Sequence, residues 1–199
     1  MKELKIKVTF TEELLGTASA NPDIHDEFIA GKAENEDKAR EEVDAVKLTV
    51  SEQIEKSMTV FPRMEDGRPF IWDYQWRGFF KEACSGLRKV KGTKSEKLKA
   101  FKKEVDLAIF VRERKIPLMF DGEMGTCQRP LRASTAQGER IALASSETVP
   151  AGAECEFTIV CLVDNDIDLV KEWLDYGQYH GMLQWRNSGK GRFVWKEIG

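Results

Sequence analysis

Near its C-terminus the chain reads Tyr176-Gly177-Gln178-Tyr179-His180-Gly181-Met182-Leu183-Gln184-Trp185-Arg186-Asn187-Ser188-Gly189-Lys190-Gly191-Arg192-Phe193, with four glycines at 177, 181, 189 and 191. Three cations (Arg186, Lys190, Arg192), an exposed-looking Trp185 and the small polar pair Asn187-Ser188 are interleaved with them. Glycine tolerates positive φ and lets another backbone approach closely. Arginine and lysine bind phosphate, and successive backbone N–H groups in a tight turn form a nest for anions. Tyr179 and Trp185 offer ring faces on which bases could stack. Because glycine, cation and aromatic signals coincide, the stretch reads as a loop that grips a phosphate-bearing ligand. The plainer alternative is a connection whose glycines only satisfy turns and whose cations are solvated.

A second group of candidate contacts lies in Arg129-Pro130-Leu131-Arg132-Ala133-Ser134-Thr135-Ala136-Gln137-Gly138-Glu139-Arg140. Three arginines, small hydroxyl residues and a glycine suggest an irregular hairpin whose base could face a ligand. The expected nucleic-acid contacts are therefore Arg129, Arg132, Arg140, Arg186, Lys190 and Arg192 for phosphates, and Trp185 with Tyr179 for bases. Gly181, Asn187, Ser188, Gly189 and Gly191 complete the loop. Metal chemistry has little to work with. Cys84, Cys127, Cys155 and Cys161 show no CxxC spacing, and His25 and His180 are far apart. The spacing of Glu139 and Glu147 carries no specific signal. No metal or cofactor is expected, and the thiols read as reduced, mostly core residues of a cytoplasmic protein.

These residues need a scaffold, and 199 residues with 41% hydrophobic content supply one domain's core. No apolar run approaches the roughly 20 residues that span a bilayer. The net charge of −3 conceals a marked asymmetry. Residues 12–56 carry thirteen acids and five bases, residues 78–103 nine bases and two acids, and residues 181–199 four bases and one acid. A mildly acidic chain with two basic segments fits local nucleic-acid contact better than a uniformly sticky polycation.

Taken in order, residues 3–10 alternate Leu4, Ile6, Val8 and Phe10 with polar partners, as a half-buried strand does. Residues 23–57 are helical in period, polar and acidic. Thr59 to Phe61 is strand-like, and Asp66-Gly67 is a hairpin turn leading to a second arm at Pro69-Phe70-Ile71-Trp72. Asp73 caps an amphipathic helix over 73–89 carrying Trp76, Phe79, Phe80, Ala83, Cys84 and Leu87, with Gly78 allowing close packing. A basic run follows to Lys103, and Val105 to Val111 reads as a buried strand. Ile141 to Ser146 is strand-like, Ala153 to Val163 is a long strand, Asp166 caps a helix over 167–176, and 192–198 is the last strand. Strand, helix, strand, strand, helix, strand is the split βαβ plan: an α+β, ferredoxin-like (RRM-like) core. Insertions fall at about 18–66 (helical, acidic) and 112–150 (the hairpin), within a single domain over 1–199. In such folds sheet faces and their loops often bind single-stranded nucleic acid.

At three places the chain resembles the RAMP superfamily, the RRM-like proteins that include backbone and RNA-processing subunits of CRISPR effector complexes. The first is the glycine-rich loop Gly181 to Gly191 between the second helix and the final strand. The second is Trp76-Arg77-Gly78-Phe79-Phe80-Lys81 at the first helix, and the third the Leu15-Gly16 turn after the first strand. The loop departs from the compact family form, since seven residues separate Gly181 from Gly189. The resemblance implies a stand-alone relative, of a kind a phage could encode, that binds single-stranded RNA or DNA without catalysis. It also leaves room for self-assembly or a protein partner. In the superfamily's processing nucleases a histidine with a tyrosine or lysine usually carries cleavage, so His180 with Tyr179 or Lys190 defines an alternative, a metal-independent endoribonuclease. A further alternative is a small-nucleotide-binding or host-complex-blocking protein, with the acidic 12–56 segment as a nucleic-acid mimic or a protein contact.

Overall fold

The computed structural model describes residues 1–20, 58–135 and 138–199, with backbone alone over 131–135 and 138–143. The acidic helical region expected at 23–57, and His25 with it, lies outside the described residues.

Strand β1 (Lys2–Phe10) buries Leu4, Ile6, Val8 and Phe10, as its period of two requires. Strands β2 (Leu14–Leu15), β3 (Ala18–Ser19), β4 (Thr59–Val60) and β5 (Phe70–Trp72) follow, then helix α1 (Asp73–Leu87). Helix α2 (Phe101–Ala108) leads directly into β6 (Ile109–Val111), and β7 (Lys115–Pro117) precedes two long strands, β8 (Gly125–Thr135) and β9 (Gly138–Val149). The chain ends with β10 (Glu154–Cys161), α3 (Asp166–Tyr176) and β11 (Phe193–Glu197). The main sheet is antiparallel throughout, in the order β11-β1-β10-β6. In chain order that is fourth, first, third, second, the arrangement of the ferredoxin-like split βαβ.

The aromatic residues of α1 weld the helix to this sheet. The Trp76 ring lies 4.4 Å from Phe157 and 5.4 Å from Phe193, centroid to centroid. Phe80 meets Trp173 of α3 at 6.0 Å. Burying a side chain of this size contributes about 1.5–3 kcal/mol, so α1, α3 and the sheet form one core. Trp72 occupies the N-cap of α1, and its N–H donates to Gln75 Oε1 (2.9 Å), which returns the first turn's orphan donor to a partner. Burial raises the thiols of Cys84, Cys155 and Cys161, the last to about 11, which leaves them inert.

Several expectations change. The helix caps are Trp72 and Asn165, and Asp73 and Asp166, expected as caps, are the first residues inside α1 and α3. Val105 to Val111 is not one strand: its first four residues end α2, which buries Phe101 and Val105 four apart, and Leu107 is 70% exposed. A short apolar run does not distinguish a strand from a buried helical turn. The Asp66-Gly67 turn is closed by Met64 N–H on Arg68 O (2.8 Å) and Phe70 N–H on Pro62 O (3.1 Å) about the Arg63–Pro69 bridge, but its second arm, β5, forms its ladder with β7. The 112–150 insertion is not irregular. Strands β8 and β9 form a regular antiparallel hairpin running from the Gly125↔Thr148 pair to Thr135↔Gly138, and β2, β4 and β3 extend it into a second sheet.

The face of the main sheet turned away from the helices is an array of charges. Lys7 stands between Glu156 and Lys196 in register, Lys7 pairs with Glu154 at 2.5 Å, and Arg112 pairs with Glu3. Phe110, at the edge, is the only aromatic exposed there among the described residues. Among the described residues, Phe110 is thus the one ring this face offers to a base.

Candidate functional site

A cleft of about 490 Å³ opens on the other side of the molecule, between α1 and the glycine-rich loop. Helix α1 contributes Gln75, Gly78, Phe79 and Glu82 to its wall, the loop contributes Met182 to Arg186, and Arg129 of β8 and Thr17 close it. The loop keeps its shape because its ends are bonded. Met182 N–H donates to Gly191 O (3.1 Å), and Gly191 N–H donates to Glu13 O (2.9 Å). At Gly181 a Cβ would sit 1.8 Å from Lys190 O, and Gly191 holds φ +67 with Met182 O 2.4 Å from where its Cβ would be. Only glycine fits either position.

Between those ends, two non-glycine residues are left-handed: Leu183 at φ 64 and Trp185 at φ 59. Each costs on the order of 1–3 kcal/mol and persists only when its surroundings over-determine it. Here Arg186 Nη1 donates to Leu183 O (3.0 Å), and Ser188 N–H to Trp185 O (2.9 Å). Arg186 Nε also reaches both carboxylate oxygens of Glu82, at 2.8 and 2.7 Å, and so ties the loop to α1. Strain of this kind collects at binding sites, and its product is the position of the Trp185 ring.

Arg129 lies over that ring, 4.4 Å from its centroid. The arginine is 7% exposed, and its Nη2 donates to Gln184 Oε1 at 2.6 Å. Ser146 Oγ shares that acceptor at 3.3 Å and in turn accepts from Thr59 Oγ1 at 2.8 Å. Arg129 Nε and Nη1 are buried and have no hydrogen-bond partner among the described residues. A buried guanidinium with donors unused costs free energy, and the cation–π contact offsets only part of it. Native proteins leave few such donors, and those they leave call for an explanation.

The other anticipated contacts disperse. Lys190 is held by Glu13, whose hydrogen bond raises the ammonium above its ordinary pKa. Gly189 is buried, Asn187, Ser188 and Arg192 are exposed, and Tyr179 is 69% exposed. Trp185 is half-buried rather than exposed. Arg132 and Arg140 sit on adjacent register steps of β8 and β9, toward the far end of the hairpin, where only backbone is described. His180 stacks on Tyr176 (5.5 Å), and its Nε2 lies 3.3 Å from Glu82 Oε1 without hydrogen-bond geometry. It does not line the cleft. Glu147 is taken by Arg63 and by the N–H of Phe61 (2.9 Å).

Sequence reasoning missed Gln75, Glu82, Gln184 and Thr17, all polar residues without a motif. Gly78 carried the available signal. A glycine inside a helix costs roughly 1 kcal/mol against alanine. The close packing expected there is absent, since a Cβ would meet no atom within 4 Å. The position opens onto the cleft instead.

No family model matches the sequence, and no curated protein does. Solved structures do. One chain of a type IV-B CRISPR complex superposes with a TM-score of 0.50 at 9% identity, over 100% of this chain and 91% of that one. One chain of a type III-B Cmr-beta complex bound to cognate target RNA gives 0.49 at 8% identity, over 100% of this chain and 60% of that longer one. The likeness is one of fold. At 9% identity it shows that the chain shares its fold with a chain of a type IV-B CRISPR complex.

Proposed function

We propose that the protein is a non-catalytic, single-stranded nucleic-acid-binding module of RAMP type, one domain over 1–199, with its binding site in the cleft between α1 and the glycine-rich loop. The observation that carries this reading is Arg129: a buried guanidinium stacked on Trp185, with two donor nitrogens, Nε and Nη1, left for an acceptor that the described residues do not supply. Phosphate or base-edge oxygens match those donors, and the Trp185 side of the cleft offers a ring for a base. Single strands are favoured because stacking on a tryptophan requires an unpaired base face. Arg186 and Lys190 act by holding the loop, through Glu82 and Glu13, and Arg192 is the exposed cation at its exit. Fold likeness to a type IV-B CRISPR complex chain supports the same reading.

The test is fluorescence anisotropy with labelled single-stranded RNA and DNA of about 20 nucleotides at two salt concentrations. Salt-sensitive binding, weakened about tenfold or more in Arg129→Ala, is expected. Absence of binding to both polymers overturns the proposal. So does an Arg129→Ala variant whose affinity matches the parent's.

The cleft volume favours a second reading, because small-molecule sites run from about 300 to 1,000 Å³. A thermal shift with mononucleotides and none with oligonucleotides would select it.

A further inference from the structure

We infer that the lysine-rich segment 88–103 is a second contact for the same strand, reached from the cleft along the exposed face of α1. This inference rests on the cleft reading above. The path is laid out by helical spacing: Gly78, Glu82, Ser85 and Lys89 recur at steps of four, three and four and share one face. Gly78, Ser85 and Lys89 are exposed, and the Glu82 charge is met by Arg186, so no free acid blocks the way. Lys89 continues the helix in a turn, its N–H donating to Gly86 O at 3.2 Å. Seven residues of helical rise put it about 10 Å beyond the Glu82 edge of the cleft.

The segment at the end of this path is folded, not loose. Glu172 of α3 accepts the N–H groups of Lys94 (2.6 Å) and Ser95 (3.1 Å), and Ser95 Oγ accepts from Trp173 Nε1 at 2.9 Å. Ser95 is fully buried. Pinned at its centre, the segment exposes Lys89, Lys91, Lys97 and Lys99, and α2 adds Lys102 and Lys103. None of the six has an ion-pair partner among the described residues. Of the acids nearby, Glu96 accepts Gly92 N–H (2.9 Å), Asp106 pairs with Lys81 and Asp168 with Lys94, while Glu104 of α2 is half-buried. Six ammonium groups without an ion-pair partner among the described residues, on a pinned segment and the start of α2 beyond the proposed cleft, match a run of phosphates.

The experiment compares the full chain with its Lys89→Ala/Lys91→Ala/Lys97→Ala variant on labelled single strands of about 6 and about 20 nucleotides, lengths bracketing common site sizes. All three lysines are exposed, so the variant is expected to keep the parent's melting temperature. The parent should bind the longer strand at least tenfold tighter. The variant should lose most of that gap, and its salt slope on the long strand should fall by about 2, at roughly 0.7 per phosphate contact. Its affinity for the short strand should be unchanged. Arg129→Ala should weaken both lengths, which separates failure of the cleft from failure of the track. A length dependence that survives the triple substitution overturns the inference and leaves the segment to an acidic protein surface.

Discussion

Arg129, Arg186 and Lys190 each have a fixed partner, in Trp185, Glu82 and Glu13 respectively, whereas Lys89, Lys91, Lys97, Lys99, Lys102 and Lys103 have none among the described residues. The first group is oriented before any ligand arrives. Orienting it costs backbone strain at Leu183 and Trp185 and a desolvated guanidinium. The second group costs almost nothing to present, since exposed lysines keep their hydration and rotamer freedom. Preorganised cations select a ligand's shape. Free ones add salt-sensitive, shape-blind attraction. As proposed, the chain thus sets a selective cleft along the N-terminal part of α1 and an electrostatic track beyond its C-terminal end.

The contrast is broken most forcefully at Gly181, where the strained loop closes on itself. Gly181→Ala forces a Cβ into Lys190 O, and the loop must open. A loss of about 2–4 kcal/mol is expected, within the range of backbone-clash substitutions, read from the urea midpoint at constant m-value. Binding should fall with it. An unchanged midpoint would mean that the loop has slack and that Leu183 and Trp185 are not held under strain. Next in size is Trp185→Ala. It removes the stacking surface and leaves Arg129 without its cover, so affinity for single strands should drop by about 1–3 kcal/mol, the usual worth of one base–aromatic stack. The urea midpoint should move less than for Gly181→Ala, and equal affinity in parent and variant would take the base contact away from this ring.

What the sequence made legible followed periodicity. Alternation in β1 and β10, and Trp76, Phe79, Phe80, Ala83 and Cys84 on one face of α1, are local patterns that long-range packing reinforces, and they delivered the four-stranded core. Val105 to Val111 failed because helix and strand both bury Val105 and Ile109. The glycine-rich loop was visible for a different reason: four glycines within fifteen residues mark close backbone approaches, as at Gly181 and Gly191. Its partner wall was not visible. Glu82, Gln75 and Thr17 become site residues only because the core sets α1 against the loop, and Gln75 Nε2 donates to Thr17 Oγ1 at 2.8 Å across 58 positions of sequence. No local signal encodes a contact of that range. Charge counting found the lysine run but could not tell which lysines were free.

Substituting arginine by lysine sharpens the comparison within the cleft. Arg129→Lys keeps the charge but loses the planar group that stacks on Trp185 and the fork that holds Gln184. A site reading charge alone would be indifferent to it, while a site reading shape should lose about tenfold in affinity with little change in salt slope. Equal affinity would reassign Arg129 to the electrostatic group.

The smallest effect is expected inside the lysine run itself, and it tests whether pairing is what divides the two groups. Lys94 belongs to the run by sequence but faces Asp168 at 3.4 Å, while Lys97, three residues on, faces solvent. An exposed pair of this kind is worth about 0–1 kcal/mol and already occupies the ammonium. Lys94→Ala should therefore change long-strand affinity less than twofold and leave the salt slope in place. Lys97→Ala should lower the slope by about 0.7, the share of one phosphate contact. Measured side by side at low salt, where screening is weakest and the difference is largest, equal slopes for the two variants would mean that the strand displaces Asp168 and draws on the whole run. Unequal slopes would mean that acids fixed in the fold have already decided which lysines take part.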